Sequence, residues 1–164
     1  MRVMRGWAKT DVELFTSHDD LCITRGAAFS PEWYRRNIYP WYEREWDVLH
    51  GNGCKIVFIS DGNMDEVVDD VFACGADGAF FEIYTDLPRL VRKWGKTKIL
   101  AGNIDTRILK SGTRDDVFAE VHRCTELGKN CPGYFYSVSN HIPYDTPIEN
   151  ALAYYEACEE MGRR

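Results

Sequence analysis

Short apolar runs in this sequence end in residue types that can do acid–base or ligand chemistry. Five such ends carry His18-Asp19-Asp20, Asp61-Gly62-Asn63, Glu82, Asn103 with Asp105, and Asn140-His141. Carboxylates and imidazoles at equivalent positions can serve as general acids, general bases or metal ligands. A purely structural use stays open as well, because Asp and Asn are favoured N-caps and could simply begin the following helices.

Two arginines near these ends could bind an anionic ligand. Arg25 and Arg107 lie close to the expected rim of a site. A guanidinium group is planar and pairs with a carboxylate through two hydrogen bonds. Either arginine could equally pair with a neighbouring aspartate, so the sequence leaves both uses open.

The apolar runs predict the elements that position these side chains. Short continuous apolar stretches bounded by polar or glycine residues are typical of strands buried on both faces. They predict strands at 12–16, 55–59, 78–81, 98–101 and 134–138. The stretches between them predict helices at 31–50, 63–74, 87–94, 114–127 and 147–161. This alternation predicts an α/β fold with a parallel sheet and outer helices, in a single domain over 1–164.

Helix signals support these assignments. Ser30-Pro31 supplies a cap and a first-turn proline, and Pro40 predicts a kink or a break within the first helix. Thr113 caps the fourth helix. Thr146-Pro147-Ile148-Glu149 has the form of a capping box, which would place Pro147 at the first helical position of the last helix.

Composition restricts the classes of function. The 164 residues carry 20 basic and 26 acidic side chains, a formal charge of −6, which argues against a broad grip on nucleic acid or anionic membranes. No apolar run approaches the roughly 18 residues of a membrane span. The first residues lack the apolar segment of a secretion signal, so we expect a cytoplasmic protein. The six cysteines form no C-x-x-C pair, which favours buried thiols over zinc ligands or disulfides.

The polar strand ends also have a family pattern in their order. The order is Asp19-Asp20, Ser30-Pro31-Glu32, Tyr39-Pro40-Trp41-Tyr42, Ser60-Asp61-Gly62-Asn63, Gly75-Ala76-Asp77-Gly78, Gly102-Asn103-Ile104-Asp105 and Asp145-Thr146-Pro147. This resembles the uroporphyrinogen decarboxylase family, which includes methylcobalamin:coenzyme M methyltransferases and corrinoid-linked demethylase components. The resemblance implies a TIM (β/α)8 barrel. A complete barrel takes about 250 residues, and the resemblance covers only its later half, from about the fourth strand to the eighth.

The resemblance carries over site residues one by one. It implies Asp61, Asp105 and His141 as catalytic residues. Together with the strand-end residue Glu82 and the two rim arginines, it gives a predicted substrate-binding set of Thr24, Arg25, Glu82, Asn103, Arg107 and Asn140. Thr24 falls near a family serine, and an ungapped count places the family's late histidine on Asn140, one residue before His141.

The sequence departs from both well-understood branches of the family. The arginine clamp of the decarboxylases belongs to the first half of the barrel. The zinc ligands of the methyltransferases fall on Ile59-Ser60-Asp61 and Asn140, where no thiolate stands. We therefore expect no metal and no cofactor, with zinc or a corrinoid only for a methyltransferase. Asp61, Glu82 and His141 form a weaker metal hypothesis.

Three functions follow as alternatives. The first is a decarboxylase-like lyase acting on a tetrapyrrole carboxylate. The second is a methyltransferase or demethylase component that takes a methyl-group substrate and docks on a corrinoid protein. The third is an inactive part of a barrel that needs an N-terminal half or a homodimer, because half a barrel leaves strand edges open.

Overall fold

The structure is a computed structural model that describes residues 1–163, in two compact units, Met1–Phe80 and Phe81–Arg164. The first unit contains α1 (Arg2–Trp7), β1 (Leu14–His18), β2 (Cys22–Ile23), β3 (Gly26–Ala27), α2 (Pro31–Asn37), α3 (Tyr39–His50), β4 (Lys55–Ile59), α4 (Val68–Ala73) and β5 (Gly78–Phe80). The second contains α5 (Leu87–Trp94), β6 (Ile99–Ala101), α6 (Thr106–Ser111), α7 (Arg114–Gly128), β7 (Tyr134–Phe135) and α8 (Ile148–Gly162). The alternation confirms the predicted α/β class.

The first unit is built on a parallel sheet in the order β1-β4-β5. Ile56 and Phe58 on one face of β4 and Val57 on the other are all buried, as the continuous apolar run predicts for a strand covered on both faces. Trp46 of α3 is also fully buried, and its ring centroid lies 6.0 Å from that of Phe58. These aromatic contacts fix α3 against the sheet.

The chain breaks between α2 and α3 at the predicted place. Ser30 caps α2 by accepting a hydrogen bond from the Trp33 N–H at 3.3 Å, and Pro31 follows the cap. The helix ends at Asn37, and a new helix begins at Tyr39 with Pro40 in its first turn. Because proline has no N–H to donate, it is tolerated in a first turn and ends a continuing helix. The predicted break at Pro40 is confirmed.

In the second unit, β6 and β7 pair in parallel with Leu100 opposite Tyr134. An isolated parallel bridge between Ile104 and Val138 extends this pairing beyond both strands. The long helix α7 begins with a capping box, in which Thr113 and Asp116 bond to each other's backbone. The predicted cap at Thr113 is confirmed.

Several predicted boundaries are wrong. The first strand spans Leu14–His18 instead of 12–16, so His18 is its last residue. The helix at 63–74 is reduced to Val68–Ala73, because Asn63 Oδ1 accepts from the Asp65 N–H at 2.8 Å and holds the segment in a turn. The last strand keeps only Tyr134–Phe135 of 134–138.

The capping box at Thr146 is also wrong. Pro147 has an extended backbone with ψ 132° and is itself the N-cap, so α8 begins one residue later, at Ile148. Among residues 1–163 no side chain caps this helix, and Thr146 Oγ1 is buried without a hydrogen-bond partner there. A capping box would need Thr146 as the N-cap and Pro147 as the first helical residue. In the structure Pro147 takes the N-cap position instead.

The cysteines agree with the prediction of buried thiols. All six are free, five are buried and Cys158 is partly exposed. Over residues 1–163 no helix combines the length and apolar character that crossing a membrane requires.

Candidate functional site

Asp61 lies beside an imidazole and a second carboxylate at the carboxyl ends of two neighbouring strands. One ligand atom from each of His18, Asp20 and Asp61 lies within 4.8 Å of the other two. His18 Nε2 is 3.2 Å from Asp20 Oδ1, and the Asp61 N–H donates to the same oxygen at 3.5 Å. Within residues 1–163 this is the group of three His, Cys, Asp or Glu side chains close enough to hold a metal ion.

The register of two parallel strands brings these residues together. His18 pairs with Ile59, so the loops that follow β1 and β4 leave the sheet side by side. The Asp19 N–H donates to the Ile59 carbonyl at 3.2 Å, and the Leu21 N–H donates to Ser60 Oγ at 3.1 Å. The buried Ser60 hydroxyl joins the two loops through this bond. The side chains of Asp20 and Asp61 stay accessible to solvent.

A short hairpin formed by β2 and β3 packs against the turn that follows Asp61. The Asn63 N–H donates to the Ile23 carbonyl at 3.0 Å. Gly62 has φ +81°, and a Cβ there would lie 2.5 Å from the Ile23 carbonyl group. Only glycine suits this turn, both for its backbone conformation and for the space available. Gly62 therefore fixes the backbone next to Asp61.

Thr24 and Arg25 form the tip of this hairpin, directly after Ile23, and both are exposed. The predicted substrate-binding threonine and arginine thus lie on a loop that contacts the Asp61 turn. Their predicted role in binding substrate stays a prediction.

In the second unit, Asp105 is occupied by capping and by an ion pair. Its carboxylate accepts from the Arg107 N–H at 2.9 Å, which caps α6, and it lies 2.6 Å from Arg107 Nη2. Burial raises the pKa of Asp105, but the hydrogen bonds and charge of Arg107 outweigh burial and lower the pKa below its ordinary value. Asp105 is therefore ionised near neutral pH, and it can balance a positive charge but not donate a proton.

Asn103 is buried in a polar network that anchors the end of β6. Its amide nitrogen donates to the Thr85 carbonyl at 3.2 Å, and its Oδ1 accepts from Arg123 at 3.0 Å. Arg123 is paired with the buried Glu120 at 2.7 Å, and Glu120 accepts from the Asp105 N–H at 2.9 Å. The network accounts structurally for Asn103, whose predicted contact with substrate stays a prediction.

Ser139 joins three of the predicted strand ends in this unit. Its Oγ accepts from the Ile83 N–H at 3.1 Å and donates to the Ile104 carbonyl at 2.9 Å. Ile83 follows Glu82, and Ile104 precedes Asp105, while Ser139 itself precedes Asn140. The buried serine therefore holds the segments of Glu82, Asp105 and Asn140 together.

His141 is exposed, and its Nδ1 lies 2.6 Å from Asn140 Oδ1. Because an amide oxygen only accepts, Nδ1 is the protonated nitrogen and Nε2 is the basic one in the neutral ring. This is the arrangement that a general base would need. The catalytic role of His141, like those of Asp61 and Asp105, stays a prediction.

The predicted site residues therefore divide between the two units. The first unit contains Thr24, Arg25 and Asp61, and the second contains Glu82, Asn103, Asp105, Arg107, Asn140 and His141. Sequence reasoning missed His18 and Asp20 as neighbours of Asp61, although both stood among the polar strand ends. It also missed Ser139 and the ion pair of Glu120 and Arg123. For the ion pair, the Glu-x-x-Arg spacing within a predicted helix was a signal that the sequence contained.

Comparison with known proteins gives consistent matches along the chain. A family model described as "Uroporphyrinogen decarboxylase (URO-D)" matches residues 2–161. A uroporphyrinogen decarboxylase from Thermus thermophilus is 26% identical over 161 residues, covering 98% of this chain and 45% of the relative. One from Coxiella burnetii is 28% identical over 116 residues, covering 70% of this chain and 32% of the relative. The chain thus spans less than half the length of these curated relatives.

The fold has a solved counterpart. A methyltransferase from Methanosarcina mazei superposes with a TM-score of 0.75 at 19% identity, covering 98% of this chain and 45% of that one. This match confirms an α/β fold that corresponds to part of a TIM barrel, as the resemblance implied. With the family model matching nearly every residue, the chain belongs to the uroporphyrinogen decarboxylase family.

Proposed function

We propose that this chain contributes the later strand ends of a decarboxylase-like lyase site for a carboxylated tetrapyrrole. The observation that carries the proposal is the group of His18, Asp20 and Asp61, with its ligand atoms within 4.8 Å of one another at the ends of β1 and β4. Loops at the carboxyl ends of parallel strands build the active sites of barrel enzymes. The curated relatives that match are named uroporphyrinogen decarboxylases.

The chemistry needs a proton donor and a negative charge. Protonation of a pyrrole ring carbon makes the ring an electron sink. The bond between the acetate methylene and its carboxylate then breaks, the electron pair enters the ring and CO2 leaves. The methylene carbon takes up a proton and the ring carbon releases one, so each turnover exchanges CO2 for one proton.

The residues around Asp61 suit this sequence of steps. His18 Nε2 lies 3.2 Å from Asp20 Oδ1, and we assign this imidazole–carboxylate pair to deliver the proton to the ring. The Asp61 carboxylate can balance the positive charge that develops on the pyrrole. Asp105 and His141 are proposed as further contributors, with Asp105 as a fixed negative charge and His141 as a base.

The anionic substituents of the substrate need cationic partners. Arg25 is the proposed one in the first unit. Arg107 can serve only if it leaves Asp105, since its guanidinium lies 2.6 Å from that carboxylate. We propose that the other cationic partners of the substrate come from the arginine clamp in the first half of the barrel, which this chain does not match.

The direct test is incubation with uroporphyrinogen under anaerobic conditions. The protein is assayed alone and with the N-terminal half of the Thermus thermophilus relative, and products are separated after oxidation to porphyrins. We expect products with fewer carboxylates when both halves are present. Unchanged substrate in both reactions contradicts the proposal.

A methyltransferase component is the second candidate, because a set of one imidazole and two carboxylates can ligate a divalent metal. The residues do not fit the thiolate zinc site of the methyltransferase branch, since Asp61 and Asn140 stand at its cysteine positions. Titration with Zn²⁺ and Mn²⁺ by calorimetry separates the candidates. Stoichiometric binding that Asp20→Asn abolishes favours this candidate, and the absence of binding removes it.

The proposed macromolecular partners are a complementing N-terminal half or a second copy of the chain, and a corrinoid protein for the second candidate. Light scattering distinguishes them. A dimer supports self-complementation, whereas a monomer that forms a 1:1 complex with the N-terminal half supports the other arrangement.

A further inference from the structure

We propose that a cleft between the end of β1 and helices α2 and α3 binds a small methylated ammonium ion. The cleft lies in the first unit and has a volume of about 330 Å³. Its lining includes five aromatic side chains, those of Phe29, Trp33, Tyr34, Trp41 and Tyr42. This proposal goes beyond the decarboxylase-like function, which would act on an anionic substrate.

The aromatic lining has a buried floor and an accessible rim. Tyr34 and Tyr42 are 2% and 5% exposed, and both hydroxyls are engaged, Tyr34 with the Leu21 carbonyl and Tyr42 with Asp19. Phe29 and Trp41 are 57% and 54% exposed. Phe29 and Trp33 stack with their ring centroids 4.6 Å apart, so each of these two rings keeps one face for a ligand.

The charge of the cleft selects for a cation. Three carboxylates line it, from Asp19, Asp20 and Glu45, and its described lining contains no Lys, Arg or His. Asp20 also contacts His18, and Glu45 accepts from the Met1 amine at 3.3 Å. Asp19 is held toward the aromatic floor by the Tyr42 hydroxyl at 2.7 Å, so it is the carboxylate that we assign to the ligand.

Aromatic faces and a carboxylate together recognise a particular class of ligand. Ring faces attract cations through their quadrupole, and aromatic cages are the usual sites for quaternary ammonium groups. The Arg44 guanidinium lies 5.3 Å from the centroid of the Trp41 ring and covers one face of it, so we assign the ligand to the other rings of the cleft and to Asp19. A methylated ammonium ion gains both the ring contacts and the charge of Asp19.

Calorimetric titration with choline tests the proposal, with 3,3-dimethyl-1-butanol as the neutral ligand of the same shape. We expect choline to bind with a millimolar or lower Kd and the neutral alcohol to bind at least tenfold more weakly. Equal binding of the two ligands would mean an apolar pocket without charge selection and overturns the proposal. So does the absence of choline binding.

Variants locate the site within the chain. Trp33→Leu and Asp19→Asn should each weaken choline binding about tenfold, because one removes a ring face and the other the charge. Trp7→Leu is the matched control, since Trp7 is 45% exposed but packs on Phe15 outside the cleft. Affinity that drops equally in Trp7→Leu contradicts the assignment. Asp19→Asn keeps an acceptor for Tyr42, so the charge can be tested even if Trp33→Leu fails to fold.

Discussion

The carboxylate of Asp105 and the guanidinium of Arg107 lie 2.6 Å apart, in a pair that also caps the helix α6. The sequence pattern placed one of these residues among the catalytic candidates and the other among the substrate-binding ones. Because Arg107 keeps the Asp105 carboxylate ionised, Asp105 can act as a fixed negative charge but not as a proton donor, and Arg107 can bind a substrate only after it leaves Asp105. In the second unit, His141 is therefore a better candidate for a proton carrier than Asp105.

The pH dependence of stability tests this pair. The folded protein holds the Asp105 pKa below its ordinary value, so the pair stabilises the folded state above about pH 4 and loses this effect as the pH falls. Arg107→Gln should lower the free energy of unfolding at pH 7 by about 0.5–1 kcal/mol, a modest figure because Arg107 is largely exposed. The difference should shrink as the pH falls below about 4, because the carboxylate becomes protonated.

Urea unfolding at several pH values measures this effect. Arg163→Gln removes a similar cation from the exposed Arg163–Glu159 pair and serves as the control, with an expected change near zero. A cost for Arg107→Gln that is the same at pH 2 and pH 7 would show that the pair does not set the Asp105 pKa.

Glycine at position 62 is predicted to be required next to Asp61. Gly62→Ala should destabilise the protein by about 2–3 kcal/mol, because it adds strain at φ +81° and brings a Cβ to 2.5 Å from the Ile23 carbonyl group. Gly53→Ala is the control, with φ +79° but open space around its Cβ, and should cost only about 1 kcal/mol. Equal costs in urea unfolding would mean that the contact with Ile23 is not tight.

Ser139 is predicted to organise the strand ends of the second unit. Ser139→Ala removes the hydroxyl that accepts from the Ile83 N–H and donates to the Ile104 carbonyl. It should cost about 1–2 kcal/mol, because the partly buried Ile83 N–H loses this acceptor, whereas the Ile104 carbonyl still accepts from the Ser139 backbone N–H at 3.0 Å. Ser137→Ala is the matched control, since the Ser137 hydroxyl donates to the carbonyl of its own neighbour, Val138, at 3.3 Å, and the backbone bond from the Ile104 N–H to the Ser137 carbonyl is kept in the variant. Amide hydrogen exchange should accelerate at Ile83 in the first variant alone. Unchanged exchange there contradicts the assigned role.

The thiols are predicted to be unreactive in the folded protein. Burial raises the pKa of Cys22 and of Cys158 to about 11, and that of Cys74 to about 12. Because the thiolate is the reactive form, a thiol reagent at pH 8 should modify these groups slowly. Cys158 is the least buried of the six and should react first. Six thiols should react at once in denaturant, and an equally fast reaction without denaturant would contradict the burial.

The alternation of strands and helices could be predicted from sequence, because a continuous apolar run such as that at 55–59 is typical of a strand buried on both faces. The hairpin of β2 and β3 could not, because strands of two residues leave no periodic signal. The predicted start of the last helix was wrong by one residue, because the extended backbone of Pro147 makes Pro147 the N-cap in place of Thr146. Local patterns thus determine element types well and element ends poorly.

The residue types of the candidate site could be predicted from sequence, but not which of these residues lie next to one another in space. The five polar strand ends contained His18, Asp20 and Asp61, but their proximity depends on the register that pairs His18 with Ile59. The pair of Asp105 and Arg107 likewise depends on how α6 begins. Register and helix starts are tertiary properties, which is why single-sequence patterns did not choose among the alternatives.

We propose that Asp61 balances the positive charge that develops on a tetrapyrrole while its neighbours His18 and Asp20 carry the proton. The most direct measurement is the rate of CO2 release from uroporphyrinogen by this chain with a complementing N-terminal half, comparing Asp61→Asn with Asp11→Asn. Asp11 is an exposed aspartate that precedes the opposite end of β1. We predict that Asp61→Asn lowers the rate at least ~100-fold, as expected for loss of charge stabilisation, while Asp11→Asn leaves it unchanged. Equal rates in the two variants would contradict the account.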